Sequence, residues 1–213
     1  MTDPSSTTGT IVVSGTGRIA VDPDVADLRL GVAVSRPSVD AARAAAAEAM
    51  AAILAVVRAA GVEPRDVRTT LLSVQPRYDY RDGKAPTLVG YDLANIVEVT
   101  ARDLANLGAI VDGSLSAGAT SLDGLSFRVD DPREAERAAR VAAVSEARSR
   151  AQILAEAAGI AIGGVVGIVE GGPPPTWPQP KAQMLRAVAD AGTPVEAGTT
   201  EISVTVTVTF RIA

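Results

Sequence analysis

The chain has 213 residues, a formal net charge of −5, and neither histidine nor cysteine. Without these residue types it cannot form a serine–histidine triad, a zinc finger, an iron–sulfur centre or a disulfide. The acidic balance argues against a nucleic-acid-binding surface. No apolar run approaches the roughly 20 residues of a membrane span, so no membrane-spanning helix is expected.

The first elements predicted along the chain are two strands. Residues 1–9 are polar and rich in Gly, Ser, Thr and Pro, which is typical of a disordered tail. Apolar residues recur at every second position within 11–21 and again within 28–34, which predicts two strands paired as a hairpin. Gly15 and Gly17 interrupt the first strand and predict a bulge rather than a dinucleotide-binding loop, because no third glycine or helix follows.

A long helix and a second pair of strands follow. Ser38 is a predicted N-cap, and apolar residues at three- and four-residue steps predict an amphipathic helix that ends at Gly61. Strands are predicted near 66–78 and 88–100, joined by a polar turn. Together with the first two strands, this gives a ββαββ arrangement.

The second part of the chain predicts helices alternating with strands. A short helix is expected near 102–116 and a strand near 120–129. Asp131, followed by proline and acidic residues, predicts the start of a helix that runs to about Ala158. A buried strand is expected at Val165–Val169.

The last part of the chain combines an irregular segment with a regular strand. Residues 171–198 are too rich in proline and glycine for a helix or a central strand, although a short helix is expected within them. Residues 202–212 alternate apolar and polar side chains, which predicts a strand with one core face and one threonine-rich face. The element order is therefore ββαββ, αβαβ, an arm and a final strand.

This order predicts an α+β fold with mostly antiparallel sheets backed by long helices. We expect one domain over residues 10–213. Its first half would be residues 10–100, and its second half residues 101–170 together with 199–213. Residues 171–198 would form a Pro-rich arm.

The strongest candidate site is a group of aromatic and charged residues. Tyr78, Tyr80 and Tyr91 are the three tyrosines of the chain, and with Arg77 they flank the second predicted hairpin. Tyr and Arg favour interfaces, so the group is interpreted as a ligand-binding or subunit-contact patch. The alternative is that these side chains only cover the end of the hairpin.

The Pro-rich arm carries a second candidate interface. It contains Trp177, the single tryptophan, together with Met184 and Leu185. Polyproline segments dock in aromatic grooves or reach across to neighbouring subunits, so we expect contact with another copy or a protein partner. The alternative is a loop whose tryptophan packs on its own domain.

No catalytic, cofactor-binding or metal-binding residue is predicted. Asp22, Asp24 and Asp27 have a spacing that suggests a calcium loop, but Asp27 stands where glycine is needed and Ala33 where glutamate is needed. Nothing in the sequence pairs a serine with a base. We therefore expect no enzymatic activity, with a carboxylate-based, metal-assisted hydrolase as a minor alternative.

Several short motifs occur in an ordered series over residues 10–213. They are Gly15-Thr16-Gly17, Pro23-Asp24-Val25-Ala26, Val74-Gln75-Pro76-Arg77-Tyr78-Asp79-Tyr80, Leu104-Ala105-Asn106-Leu107-Gly108 and Glu146-Ala147-Arg148. The ordered set resembles the SIMPL-domain family, a bacterial domain of unknown function. The resemblance implies two intertwined α/β halves, homo-oligomers that are large and ring- or channel-like in some members, and links to stress. The family has no agreed catalytic residues, so none is transferred.

Two functional hypotheses follow from these patterns. The first is a non-enzymatic SIMPL-like protein that self-assembles and has a scaffolding or stress-protective role. The second is a binding module for a small apolar ligand or a partner peptide. The sequence as written shows no basic and apolar leader, which predicts a cytoplasmic location. If a signal was removed, the resemblance favours a periplasmic or envelope-associated one.

Overall fold

The computed structural model describes residues 9–80, 85–171 and 193–213. These residues form an α+β fold of antiparallel sheets and helices, as the sequence predicts. The elements in chain order are β1 Thr10–Val21, β2 Val25–Arg36, α1 Val39–Ala59, β3 Val67–Asp79, β4 Thr87–Ala101, α2 Leu107–Ser116, β5 Ser121–Arg128, α3 Arg133–Ala158, β6 Ile162–Glu170 and β7 Thr200–Ile212.

The chain divides into two compact units. The four-stranded unit contains described residues 23–80, 85–130 and 193–198, and the three-stranded unit contains the remaining described residues. The described chain therefore passes from the three-stranded unit into the four-stranded unit, and later segments belong to the three-stranded unit again. This division assigns β1 to the three-stranded unit, whereas the sequence analysis grouped it with residues 10–100.

The four-stranded unit is an antiparallel sheet in the order β3-β4-β2-β5. Helix α1 packs on the two central strands, β2 and β4. The helix begins where predicted: Ser38 Oγ accepts a hydrogen bond from the backbone N–H of Ala41 at 3.3 Å. Its buried stripe consists of Ala42, Ala46, Met50, Ile53 and Val57. Within the part of the chain that the structure describes, strand β3 lies at one edge of this sheet.

The three-stranded unit is an antiparallel sheet in the order β1-β7-β6, covered by α3. The inner face of β7 carries Val206, Val208 and Phe210, which are buried as the alternation predicts. The buried side of α3 consists only of alanines, namely Ala139, Ala143, Ala147, Ala151 and Ala155. Because alanine side chains are short, the helix axis approaches the sheet closely.

Gly15 and Gly17 make this close approach possible. A Cβ atom at Gly15 would lie 2.1 Å from the carbonyl oxygen of Ala143, and one at Gly17 would lie 1.9 Å from that of Ala139. The predicted bulge at these glycines is wrong, because β1 pairs with β7 in unbroken register from Thr10 to Val21. The glycines make room for the helix backbone and do not interrupt the strand.

Two further expectations about strands are corrected. The predicted hairpin between β1 and β2 does not form, because β1 pairs with β7 while β2 pairs with β4 and β5. The segment Val165–Val169 of β6 was expected to be buried, but its apolar side chains are exposed, including Val169 at 62%. It lies at the edge of its sheet, and α3 packs mainly on β1 and β7.

Candidate functional site

Two of the three tyrosines, Tyr78 and Tyr80, lie close together at the end of the hairpin of β3 and β4. The ring centroids of Tyr78 and Tyr80 lie 6.4 Å apart with the planes tilted by 59°, a favourable arrangement for aromatic pairs. Tyr80 is 75% exposed. Tyr91 is half-buried further back on β4, opposite Pro76 of β3. The aromatic pair is therefore presented to solvent.

Local backbone features shape the end of this hairpin. Gly90 has a φ of +155°, and a Cβ atom there would lie 2.7 Å from the carbonyl oxygen of Arg36 on β2. Gly90 pairs with Arg77, and the register of β3 shifts between Arg77 and Tyr78. Such a bulge bends a strand and changes the direction of the side chains beyond it. Arg77 is exposed, as are Tyr78 and the start of β4.

Apolar side chains continue from the tyrosines along β3. Leu71, Leu72 and Val74 are all exposed, and Leu72 reaches 67%. Leu72 lies opposite Asn95 of β4, whose Oδ1 is buried without a hydrogen-bond partner in the described structure. We call the following set the β3 surface: Leu71, Leu72, Val74, Tyr78, Tyr80, Leu88 and Val89.

The β3 surface contains more residues than the sequence predicted. Its aromatic members were predicted, but Leu71, Leu72 and Val74 were not singled out. The missed signal is the position of β3 at the sheet edge, which local periodicity does not reveal. Trp177, Met184 and Leu185, the arm residues predicted as an interface, lie outside the described residues.

The four-stranded unit also contains a network of ion pairs. Arg128 Nε donates to Asp27 at 2.6 Å, and Arg128 Nη1 donates to Asp130 at 2.8 Å. Arg102 joins Asp130 to Asp66, with a distance of 3.1 Å from its Nη2 to Asp66 Oδ1. Opposite charges alternate through the network, which ties together the ends of β2, β4 and β5.

The network lowers the pKa of two of its carboxylates, Asp27 and Asp130. Partial burial disfavours the charged form of Asp27, but hydrogen bonds from Arg128 and Thr100 outweigh it, so the pKa of Asp27 lies below its usual range. Hydrogen bonds from Arg102 and Arg128 likewise lower the pKa of Asp130. A general acid near neutral pH needs a raised pKa instead. This arrangement therefore suits a structural role.

Two of the aspartates considered as a calcium loop, Asp24 and Asp27, form hydrogen bonds within the protein. Asp24 accepts a hydrogen bond from the backbone N–H of Asp130 at 2.8 Å, and Asp27 accepts from Arg128 and Thr100. Within residues 9–80, 85–171 and 193–213, no group of three potential metal ligands is positioned to hold an ion. In the same ranges, no helix is long and apolar enough to cross a membrane.

A family model described as SIMPL, a protein of unknown function (DUF541), matches residues 11–210. The chain belongs to the SIMPL family. It is 37% identical over 211 residues to the "26 kDa periplasmic immunogenic protein" of Brucella melitensis biotype 1, covering 95% of this chain and 84% of that protein. It is 36% identical over 145 residues to the "Uncharacterized protein YggE" of Escherichia coli strain K12, covering 68% of this chain and 58% of that protein.

Membership in the SIMPL family confirms the resemblance found in the sequence. The match with the Brucella protein extends over nearly the whole chain, so both units belong to the shared region. Because the family is described as one of unknown function, membership supplies no catalytic residue.

Proposed function

We propose that this SIMPL protein is non-enzymatic, that it self-assembles, and that it has a scaffolding or stress-protective role. The contact between copies is the β3 surface. The observation that carries the proposal is a 13-residue edge strand whose exposed leucines and valine continue into an exposed tyrosine pair. Exposed apolar patches rimmed by polar residues are typical of protein contacts.

Strand β3, at the edge of its sheet among the described residues, provides backbone groups for such a contact. An edge strand presents unpaired N–H and C=O groups that pair readily with a strand from another chain. The register of β3 shifts between Thr69 and Leu71, and Pro76 has no backbone N–H. These features confine regular strand addition to the five residues between them, 71–75.

The sequence of these five residues favours pairing with the same strand of a second copy. In a two-fold, antiparallel pairing centred on Ser73, Leu72 would lie opposite Val74 of the partner subunit, and the same contact would repeat on the other side. Both residues lie on one face of β3, so the contact would be apolar. No charged side chain falls between residues 71 and 75, so like charges would not oppose the pairing.

The charge network supports the non-enzymatic part of the proposal. Asp27, Asp66 and Asp130 are each bonded to arginine, so these carboxylates are occupied in binding the chain together. Histidine and cysteine, the side chains most often used for acid–base and nucleophilic chemistry, are absent from the sequence. For the location, the name of the Brucella relative supports a periplasmic placement.

A disulfide tests the proposed pairing directly. The chain has no cysteine, so any disulfide formed by a single-cysteine variant must join two copies. Residues that face each other in an antiparallel pair have Cα atoms about 4.5–5.5 Å apart, within the range of a disulfide. We expect the variant Ser73→Cys to form a covalent dimer under mild oxidation at micromolar concentration.

The matched control is Ser203→Cys. Ser203 is exposed but lies on β7, the central strand of the other sheet, where no second copy can pair edge to edge. Dimers of Ser73→Cys without dimers of Ser203→Cys would support the β3 contact. Equal yields for both variants, or no dimer for Ser73→Cys, would contradict it. A monomer that binds an extended apolar peptide would favour the binding-module hypothesis instead.

A further inference from the structure

Strand β1 is, after β3, the second long strand that lies at the edge of a sheet among the described residues. It has 12 residues and pairs on one side with β7, in register from Thr10 opposite Arg211 to Val21 opposite Thr200. A long and regular edge strand is a template for association with other chains. Unlike β3, it contains neither a proline nor a register shift.

Two side chains of α3 occupy the centre of this edge. Glu146 Oε2 accepts a hydrogen bond from the backbone N–H of Thr16. Arg150 Nη1 donates to the carbonyl oxygen of Ser14 at 2.8 Å, and Arg150 Nη2 donates to Glu146 Oε1 at 2.6 Å. The carbonyl of residue 14 and the N–H of residue 16 are both turned away from β7. The glutamate and the arginine supply the acceptor and the donor that a neighbouring strand would offer.

The close approach of α3 explains how these side chains reach the edge. Gly15 lies between the two bonded residues, and the backbone of α3 at Ala143 and Ala147 lies against it. Glu146 and Arg150 are one turn apart on this helix, so both can reach around the strand. The i,i+4 spacing of the two residues does not by itself indicate the contacts with β1.

An exposed apolar groove lies beside the same edge. It is lined by Val13, Ser14, Arg150, Ile153 and Leu154 and has a volume of about 320 Å³. Ile153 is 63% exposed. A strand added at the β1 edge would find this groove for its apolar side chains. The ion pair therefore stands where strand addition would otherwise be favourable.

We propose that Glu146 and Arg150 form an edge clamp, which closes β1 against strand addition by a second copy of this chain. The clamp divides the edge into two shorter segments, and short edge strands pair poorly. It also directs association to other surfaces, because the donor and acceptor at the centre of β1 are already used. This inference does not depend on the β3 contact.

The test removes the clamp and measures association. The variant Glu146→Ala/Arg150→Ala is made in the Leu72→Glu background, so that any new association does not use the β3 surface. Light scattering on a sizing column gives the mass from 10 to 500 μM (roughly the range in which weak strand pairing is detected). Hydrogen exchange of the Thr16 amide is measured in the same samples.

With the clamp removed, we expect the Thr16 amide to exchange at least about tenfold faster in dilute samples, which corresponds to about 1.4 kcal/mol. The mass is expected to rise with concentration, and the β1 amides are expected to regain protection as it rises. The matched control is Glu136→Ala in the same background. Glu136 pairs with Arg140 at the same i,i+4 spacing on α3, and Arg140 also bonds to Glu170 of β6. This control is expected to change neither observable.

Two results would overturn the proposal. One is an unchanged mass at every concentration although the Thr16 amide exchanges faster, because the clamp would then only stabilise the helix. The other is unchanged exchange at Thr16. If the double variant loses its helical circular dichroism signal, Arg150→Ala alone is measured, since it removes the donor to Ser14 and keeps the acceptor for Thr16. An unchanged mass in that variant would equally overturn the proposal.

Discussion

The glycines of β1 lead to a prediction about how α3 is held. In the variant Gly17→Ala, the new Cβ atom would lie 1.9 Å from the carbonyl oxygen of Ala139 and 2.8 Å from the backbone nitrogen of Ala143. Carbon atoms do not approach oxygen this closely, and the atoms met belong to the helix backbone, which cannot rotate away as a side chain can. The whole helix must therefore move outward by about 1 Å.

The stability lost in Gly17→Ala depends on the apolar surface that α3 buries against the sheet. Five alanine methyl groups face the sheet, each contributing about 0.8 kcal/mol. A gap of about 0.5–1 Å loses roughly a quarter to a half of the contact energy, or about 1–2 kcal/mol over the stripe. Strain from overpacking adds about 1–3 kcal/mol. The gain of about 0.5–1 kcal/mol from replacing glycine in a strand offsets part of this. We expect a net destabilisation of about 1–4.5 kcal/mol.

Hydrogen exchange of α3 peptides measures this local stability. A loss of 2 kcal/mol corresponds to roughly 30-fold faster exchange, and a loss of 4 kcal/mol to nearly a thousandfold. The matched control is Gly164→Ala on β6, where the Cβ atom would meet nothing within 4 Å and the backbone is not left-handed. We expect the control to be neutral or slightly more stable. Unchanged exchange in Gly17→Ala, or equal effects in both variants, would refute the close-packing account.

Three further predictions concern the four-stranded unit. The folded pKa of Asp27 lies below the unfolded value of 3.8, so its contribution to stability is present above pH 3.8 and is lost as the pH falls further. Asp27→Asn should therefore flatten the decline of urea-unfolding stability below pH 4, and an unchanged slope would contradict this. Asp112 accepts a hydrogen bond from the backbone N–H of Thr193 at 3.1 Å. In Asp112→Ala this bond is lost, so the amides of residues 193–198 should exchange hydrogen faster. Equal exchange would show that the bond does not hold this segment. Ser38→Ala removes the cap of α1 and should cost about 1 kcal/mol in urea unfolding; no cost would mean that the bond to Ala41 is not maintained in solution.

The order of elements could be predicted from the sequence because each depends on local patterns. The alternation within 202–212 determines β7, whose inner side chains are buried as expected. Ser38 and the three- and four-residue spacing that follows determine where α1 begins and which face it buries. These signals act over a few residues, so a single sequence contains them in full.

The pairing of strands could not be predicted in the same way. Strand β1 pairs with β7, which is about 190 residues away in sequence, rather than with its neighbour β2. Whether a strand is central or at an edge follows from such pairings. This is why the exposure of β6 and of Leu72 was missed.

The roles of Gly15 and of the pair Glu146–Arg150 have a common origin. Each depends on the distance between α3 and β1, which only the packed structure defines. A signal was present, since two glycines on one face of a strand match a helix with alanine at every fourth position from 139 to 155. That match becomes informative only once the helix and the strand are known to be neighbours.

The absolute mass of the protein in solution tests the central claim of self-assembly most directly. Light scattering on a sizing column should be measured over a micromolar concentration series for the whole chain and for Leu72→Glu. Self-assembly through the β3 surface predicts a discrete multiple of 21.7 kDa for the whole chain and a smaller mass for the variant. A mass of 21.7 kDa for the whole chain at every concentration would contradict the claim.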